Sequence, residues 1–388
     1  GGEAVSIAAA YNKLPYFPDD AQEVFDFNFG IKGIVTIAPT DYRYHRQIQL
    51  ENINYLSLQG SYDADETSFW GLRPYHRLAF TDSIDYFKAG VYIHRANHGQ
   101  FNSSWGRHDF GGMFAHLMNT QPMMSAEEQQ QAAKIFITGF AEVVFNGQRA
   151  YQSLFLSPEA AAAEWLPPGD YLGRFASSRN QSLQTFEEDI DLTTASHNIR
   201  LRAAQFEVWR EENLSARDGG SQENNAVLLG WNYGEEMEAD SIASYSLVFP
   251  DSLSFAVDSF QHLIMDIGVG DWSELEGFGN YDGDSIHLDF RIQLVNQNGQ
   301  MGQAMLSQSG KLPTPPLRTR FTKFAHLDQE MFEQEREVQL ETFVLPMFVF
   351  QTESGDIFNW RDLQQIRLVF DQSPAGILVI DNIRLGWD

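Results

Sequence analysis

The chain has 388 residues, 43% hydrophobic and 13% aromatic, enough for two domains with proper cores and too apolar for a disordered protein. It contains no cysteine, which excludes disulfides, thiolate metal sites and cysteine nucleophiles. The net charge of -27 divides into 13 Lys/Arg against 19 Asp/Glu over residues 1–179 (-6) and 13 against 34 over residues 180–388 (-21), a surface that repels phosphate backbones and anionic lipid. Nucleic-acid partners are therefore not expected. No apolar run is long enough to span a bilayer. The plain reading of the acidity is solubility; saline surroundings or bound cations are the other.

The chain opens on Gly1-Gly2-Glu3, without an initiator methionine, as an interior position of a longer chain would. Ile7, Ala10, Tyr11 and Leu14 come next at helical spacing. "IKGIVTIAP" (31–39), "INYLSLQG" (53–60) and "GVYIH" (90–94) read as buried parallel strands. "RPYHRLAF" between the last two reads as a short crossover helix. Ser125 and Glu128 form a capping box, and Ala132, Ile135, Phe136, Phe140, Val143 and Val144 make a helix face closed by Asn146-Gly147. A second, shorter helix after Ser157-Pro158 ends at Pro167-Pro168-Gly169. Strands alternating with helices imply an α/β sheet over 1–166, a linker over 167–180, and a second domain over 181–388.

Beyond the linker the period becomes two. Ile286, Leu288, Phe290, Ile292 and Leu294 alternate with polar residues, as do Ile366, Leu368 and Phe370. Many such strands between turn residues read as an all-β sandwich. Pro374 and Gly376, between "IRLVF" and "ILVIDNIRL", suggest that these two strands are neighbours in an antiparallel hairpin.

His98 lies on a loop just past the strand 90–94, and Asp63 on the loop past the strand 53–60. In open parallel sheets reactive groups sit beyond the carboxyl ends of strands, and neighbouring strands would bring these loop tips together. A carboxylate accepting from one ring nitrogen leaves the other free as a general base. Asp65, Glu66 and Asp41 are nearby acids; Asp41 is read as structural or pocket-shaping. Asn97, Phe101, Asn102 and Trp105 read first as loop packing, and second as the walls of a substrate pocket. His94 falls within a strand. No histidine pair has zinc-site spacing.

The opening residues resemble the stretch just after the nucleophilic serine in chlorophyllase-like and dienelactone-hydrolase-like esterases of the α/β-hydrolase superfamily. There the elbow reads Gly-His-Ser-Arg-Gly-Gly and leads into an alanine-rich helix, as "GGEAVSIAAAYNKL" does. "GIVTIAPTD", "GSYDAD" and "ANHGQFN" then occur in family order, over about residues 1–150. The resemblance implies a serine-dependent carboxylic ester hydrolase with His98 and Asp63 as base and acid. It puts the nucleophile serine two residues before Gly1, with the oxyanion-hole residues also outside the chain, so the chain alone should be inert. Its ester substrate is a small molecule or a polymer, and no organic cofactor is implied.

The β domain resembles a jelly-roll carbohydrate-binding module, which implies a carbohydrate as a possible ligand. In such modules the first strand, here "FEEDIDLTT", lies near the last, here "VIDNIRL", and can share calcium; Glu187, Glu188 and Asp381 are the candidate ligands. A second calcium pattern, Asn280, Asp282 and Asp284, lacks its closing glutamate because position twelve is Arg291. Trp209, Trp231, Trp272 and Trp360 are sandwich-core residues or a sugar platform. The rival functions are a non-catalytic carbohydrate- or ligand-binding sandwich and a peptidase on the same fold. The accessory domain and absent cysteine suit an extracellular or periplasmic protein.

Overall fold

The computed structural model describes residues 1–387 except 235–240, 252, 254, 276–286, 314–316 and 333–335. The chain divides into two units. The first comprises Gly1–Ser178, Ser215–Glu223 and Arg318–Glu337; the second comprises Arg179–Leu214, Asn224–Leu317 and Val338–Asp388.

The first unit begins with helix α1 (Gly2–Tyr11) and a small antiparallel pair, β1 (Tyr16–Phe17) and β2 (Asp20–Val24). Its sheet is built from β3 (Gly33–Ile37), β4 (Asn54–Gly60) and β5 (Phe87–Ile93), with the short helix α2 (Leu72–Arg77) between the last two. These three strands are parallel and adjacent in that order. Helix α3 (Ala126–Asn146) starts at the Ser125–Glu128 capping box and stops at Gly147, whose φ of 66° is a left-handed cap. Two short helices come after it, α4 (Ser153–Leu156) and α5 (Pro158–Ala162).

Residues 171–177, expected within a linker, instead form β6 (Tyr171–Ser177), antiparallel to β5 on the sheet edge. The reason is apolar content: Tyr171, Leu172 and Phe175 are buried, and the Phe175 ring stacks on Phe87 with centroids 5.7 Å apart. Phe87, Phe136, Phe140, Phe155 and Phe175 share one core with Leu56, Leu58 and Val91. The unit boundary also differs from the expected one, because residues 215–223 and 318–337 return to the first unit; the latter includes helix α6 (Ala325–Met331).

The second unit is a two-sheet β-sandwich. Its strands are β7 (Gln181–Gln184), β8 (Arg200–Ala204), β9 (Val208–Ser215), β10 (Ser221–Asn232), β11 (Ser244–Val248), β12 (His262–Val269), β13 (Arg291–Asn296), β14 (Met301–Met305), β15 (Glu341–Pro346), β16 (Leu363–Val369) and β17 (Ala375–Gly386). One sheet has the order β15-β12-β17-β10-β9, with β7 also on β17; the other has β14-β13-β16-β11-β8. From β10 onward the chain alternates between sheets, except for the β13–β14 hairpin. That crossing pattern is a jelly roll.

This topology corrects the expected terminal hairpin. β16 pairs with β11 and β13, while β17 pairs with β10 and β12 in the other sheet. The link at 370–374 is an arch across the sandwich, pinned by Trp231 Nε1 donating to the Ser373 carbonyl (3.0 Å) and Tyr233 N to the Pro374 carbonyl (2.9 Å). Two further strand expectations shift. "FEEDIDLTT" is not a strand; the residues just before it, β7, pair with β17. In the run 286–294 regular pairing begins only at Arg291, and Ile286 lies outside the described residues.

Candidate functional site

The acid loop leaves β4 at Gly60, and the histidine loop leaves β5 at Ile93. The two are joined by backbone: Ser61 N donates to the Ile93 carbonyl (3.0 Å) and Tyr62 N to the Ala96 carbonyl (2.8 Å). Only glycine fits at 60, since a Cβ there would lie 2.4 Å from the Ala96 carbonyl oxygen. Arg95 turns the chain with φ of 67°, and its N–H donates to Ser61 Oγ (2.9 Å).

The result brings His98 and Asp63 together: His98 Nδ1 lies 2.8 Å from Asp63 Oδ2. Asp63 is completely buried, and its Oδ1 accepts from the backbone N–H of Asp65 (3.1 Å) and Glu66 (2.7 Å). The two backbone N–H bonds and the contact with His98 favour the ionised carboxylate, and in that ion pair Nδ1 carries the proton. The His98 imidazole is pushed up to about 9, first by that hydrogen bond and against its own burial. Burial raises Asp63, opposed by the bond from His98. Nε2 makes no hydrogen bond among the described residues; its nearest acid is Asp65, with Oδ2 3.7 Å away and the side chain 58% exposed.

The His98 ring faces a cleft of about 390 Å³ lined by Gly1, Gly2, Thr40, Glu66, Phe101 and Trp105 among others. Trp105 lies parallel to the imidazole, with centroids 5.9 Å apart. Phe101, Asn102 and Trp105 are thus at the cleft wall, while Asn97 is not. Asn97 is fully buried; its side-chain amide donates to Asp109 Oδ1 (2.7 Å) and to the Arg107 carbonyl (3.2 Å).

Two residues that hold the site are not evident from the sequence pattern. Asp109 clamps both loops: its carboxylate accepts from the backbone N–H of Ala64 (3.0 Å), His98 (3.2 Å) and Gly99 (2.9 Å). Gln129, buried on α3, grips the Asn97 backbone from both sides, accepting from N (3.0 Å) and donating to O (2.6 Å). A signal for Gln129 does exist: it continues the stripe Ala132, Phe136, Phe140 with a polar residue where an apolar one belongs.

The neighbouring acids and histidines have other work. Asp41 accepts from Arg77 Nη2 at both carboxylate oxygens (2.7 and 2.8 Å), and burial raises it to about 6. Glu66 accepts from the Tyr42 hydroxyl (2.9 Å). His94 accepts or donates at Nδ1 with buried Ser61 (3.1 Å), inside the unit.

Among the described residues no three His, Asp or Glu side chains come together as a metal site. Glu187 is engaged by Asn225 N and Nδ2 (both 2.6 Å), Glu188 by Ser196 Oγ (2.8 Å), and Asp381 is buried against Asn382 N (2.6 Å). The pattern at Asn280, Asp282 and Asp284 lies outside the described residues. Of the four tryptophans, Trp231 and Trp272 are buried core residues, and Trp209 and Trp360 pack against that core. No helix among the described residues is long and apolar enough to cross a membrane.

No family profile matches the sequence, and no curated protein sequence matches it. Among solved structures the chain is similar to a family 11 carbohydrate-binding module of a cellulosomal cellulase of Clostridium thermocellum, with 12% identity, TM-score 0.31, and coverage of 54% of this chain and 95% of that one. It is similar to a family 30 carbohydrate-binding module of a cellulosomal cellulase of the same organism at 8% identity and TM-score 0.31, covering 54% of this chain and 98% of that one. It is also similar to an exo-β-agarase at 12% identity and TM-score 0.33, covering 54% of this chain and 25% of that one. None of these is an α/β-hydrolase.

Proposed function

We propose that the first unit is the acid-and-histidine part of a serine ester hydrolase of the α/β-hydrolase type. The observation that carries this reading is the 2.8 Å Asp63–His98 pair at the carboxyl ends of adjacent parallel strands, with Nε2 left unbonded beside a cleft. In that role Asp63 fixes the tautomer and supports the imidazolium. In the neutral imidazole, which predominates above the midpoint of about 9, His98 Nε2 takes the proton of a serine as it attacks the ester carbonyl, returns it to the leaving alcohol, and then activates water to release the acyl group. The chemistry needs no metal or organic cofactor. The resemblance puts the serine ahead of Gly1, and Gly1 and Gly2 line the same cleft as His98.

The test is hydrolysis of a p-nitrophenyl acyl ester, with fluorophosphonate labelling, by a chain extended upstream through the serine segment. The extended chain should turn over and label, and His98→Ala should cost about 10³-fold or more. Residues 1–388 alone should do neither. An extended chain whose turnover ignores His98→Ala would remove the reading. A peptide substrate in the same assay separates esterase from peptidase chemistry.

A second reading assigns the function to the sandwich, as a non-catalytic carbohydrate-binding protein. Its support is the jelly-roll topology of the second unit. Affinity electrophoresis through gels containing mixed-linked β-glucan or agarose tests it. Retardation supports this reading, and unretarded migration in both gels argues against it.

A further inference from the structure

The acid loop is held by residues far along the chain. Three consecutive residues just past the Asp63 turn are each tied down: the Thr67 carbonyl accepts from Arg217 Nε (3.1 Å), Ser68 Oγ accepts from Arg217 N (2.9 Å), and Phe69 N donates to Glu337 Oε2 (3.1 Å). Arg217 and Glu337 are both buried, and Arg217 lies over the Phe321 ring, 5.1 Å from its centroid.

Phe321 connects the acid loop with the region after the histidine. It has no exposed surface and shares a cluster with Tyr62 and Ala64 of the acid loop and with Met118 and Met123. Its carbonyl accepts from Asn119 N (2.7 Å), and Lys323 N donates to the Leu117 carbonyl (2.9 Å). Asp328 of α6 fixes this segment by accepting from Phe321 N (3.0 Å) and Thr322 N (2.6 Å). The acid loop and the segment 117–123 that comes after the histidine loop therefore rest on the segments 215–223 and 318–337, which belong to the first unit.

We propose that Arg217 and Glu337 are positioning residues for the Asp63–His98 pair, acting through residues 67–69 of the acid loop and through Phe321. The proposal rests on the reading of that pair as the acid and base of a hydrolase. It does not need the nucleophile to be present, so it can be tested on this chain. The turn at 63–66 sets the Asp63 carboxylate, and the three bonds at 67–69 stop that turn from rotating away from β5. The Arg217 guanidinium serves the Thr67 carbonyl from its side chain and opposes the burial that raises Glu337 to about 7.

The test is histidine NMR on the 388-residue chain, tracking the deshielded Nδ1 proton of His98 and its titration midpoint. Arg217→Met and the charge-balanced double variant Arg217→Met/Glu337→Gln should lose the deshielded proton and lower the midpoint by about one pH unit or more. Arg217→Lys should retain part of both. The double variant leaves no unpaired buried charge, so it decides the matter if Arg217→Met does not fold. A folded double variant with the signal and midpoint of the parent overturns the proposal. Loss of the signal in the variants, together with ester turnover in the extended chain that ignores His98, would sink the hydrolase reading and leave the positioning role standing.

Discussion

Asp63 Oδ2 and His98 Nδ1 are 2.8 Å apart, and the carboxylate is buried while the imidazole reaches the cleft. The pair is therefore a one-sided support: the acid can act only through the histidine. Asp63→Asn should lower the His98 midpoint from about 9, because burial then opposes the charge with only Asp65 and Asp109 left to favour it. Stability takes its sign from that shift. A histidine whose folded pKa exceeds its unfolded value stabilises the fold fully below about pH 6.5, and this contribution is lost as pH rises through about 9. The difference in urea midpoint between parent and Asp63→Asn should thus shrink between pH 6.5 and 9; a constant difference would contradict the assignment.

Gln129→Leu keeps the size of the side chain but strips both bonds from the Asn97 backbone. Two buried backbone groups lose their partners, a cost of about 2–4 kcal/mol. Urea unfolding should show a lower midpoint with an unchanged slope, and the His98 resonance should broaden as its loop loosens.

The legible parts of this chain are those governed by local rules. The Ser125–Glu128 box and Gly147 bound α3 because capping needs only residues a few positions apart. His98 and Asp63 can be paired because each comes after an apolar run that ends in a loop, and parallel neighbours align their loop tips. The jelly-roll reading of the C-terminal part is matched by the sandwich, but its strand pairing is not legible. Pro374 and Gly376 fit a hairpin and an arch equally well, and the choice depends on which sheet buries Ile366 and which buries Ile377. The return of Arg217 and Phe321 to the first unit is likewise hidden, since nothing local distinguishes a residue buried in one core from a residue buried in another.

Gly60, the last residue of β4, lies against the Ala96 carbonyl of the histidine loop, so it gauges the spacing of the two arms. Gly60→Ala would place a methyl 2.4 Å from the Ala96 carbonyl oxygen. That oxygen is backbone and already bonded to Tyr62 N, so it cannot swing aside. The loops must part, at a cost of about 1–3 kcal/mol. Thermal unfolding should register the loss, and the Asp63–His98 hydrogen-bonded proton should shift upfield. Parent-like behaviour in both would show that the loops yield without disturbing the pair.

Trp231 separates a core role from a sugar-platform role. Its side chain has no exposed surface, its ring packs on Phe370 with centroids 4.7 Å apart, and its Nε1 holds the Ser373 carbonyl of the arch between β16 and β17. Trp231→Phe removes the donor and part of the volume together, leaving a buried carbonyl unpaired and a void beside Phe370. The cost should be about 2–4 kcal/mol, read as a lower urea midpoint. A tryptophan that served as a platform would behave in the opposite way: its removal would spare stability and abolish glycan-dependent quenching. Acrylamide should leave a blue-shifted component of the parent's emission unquenched, and Trp231→Phe should diminish that component, with Trp70 and Trp272 supplying the rest. If the variant is as stable as the parent, the arch is held by the Tyr233–Pro374 and Ser373–His287 bonds alone, and Trp231 is not its anchor.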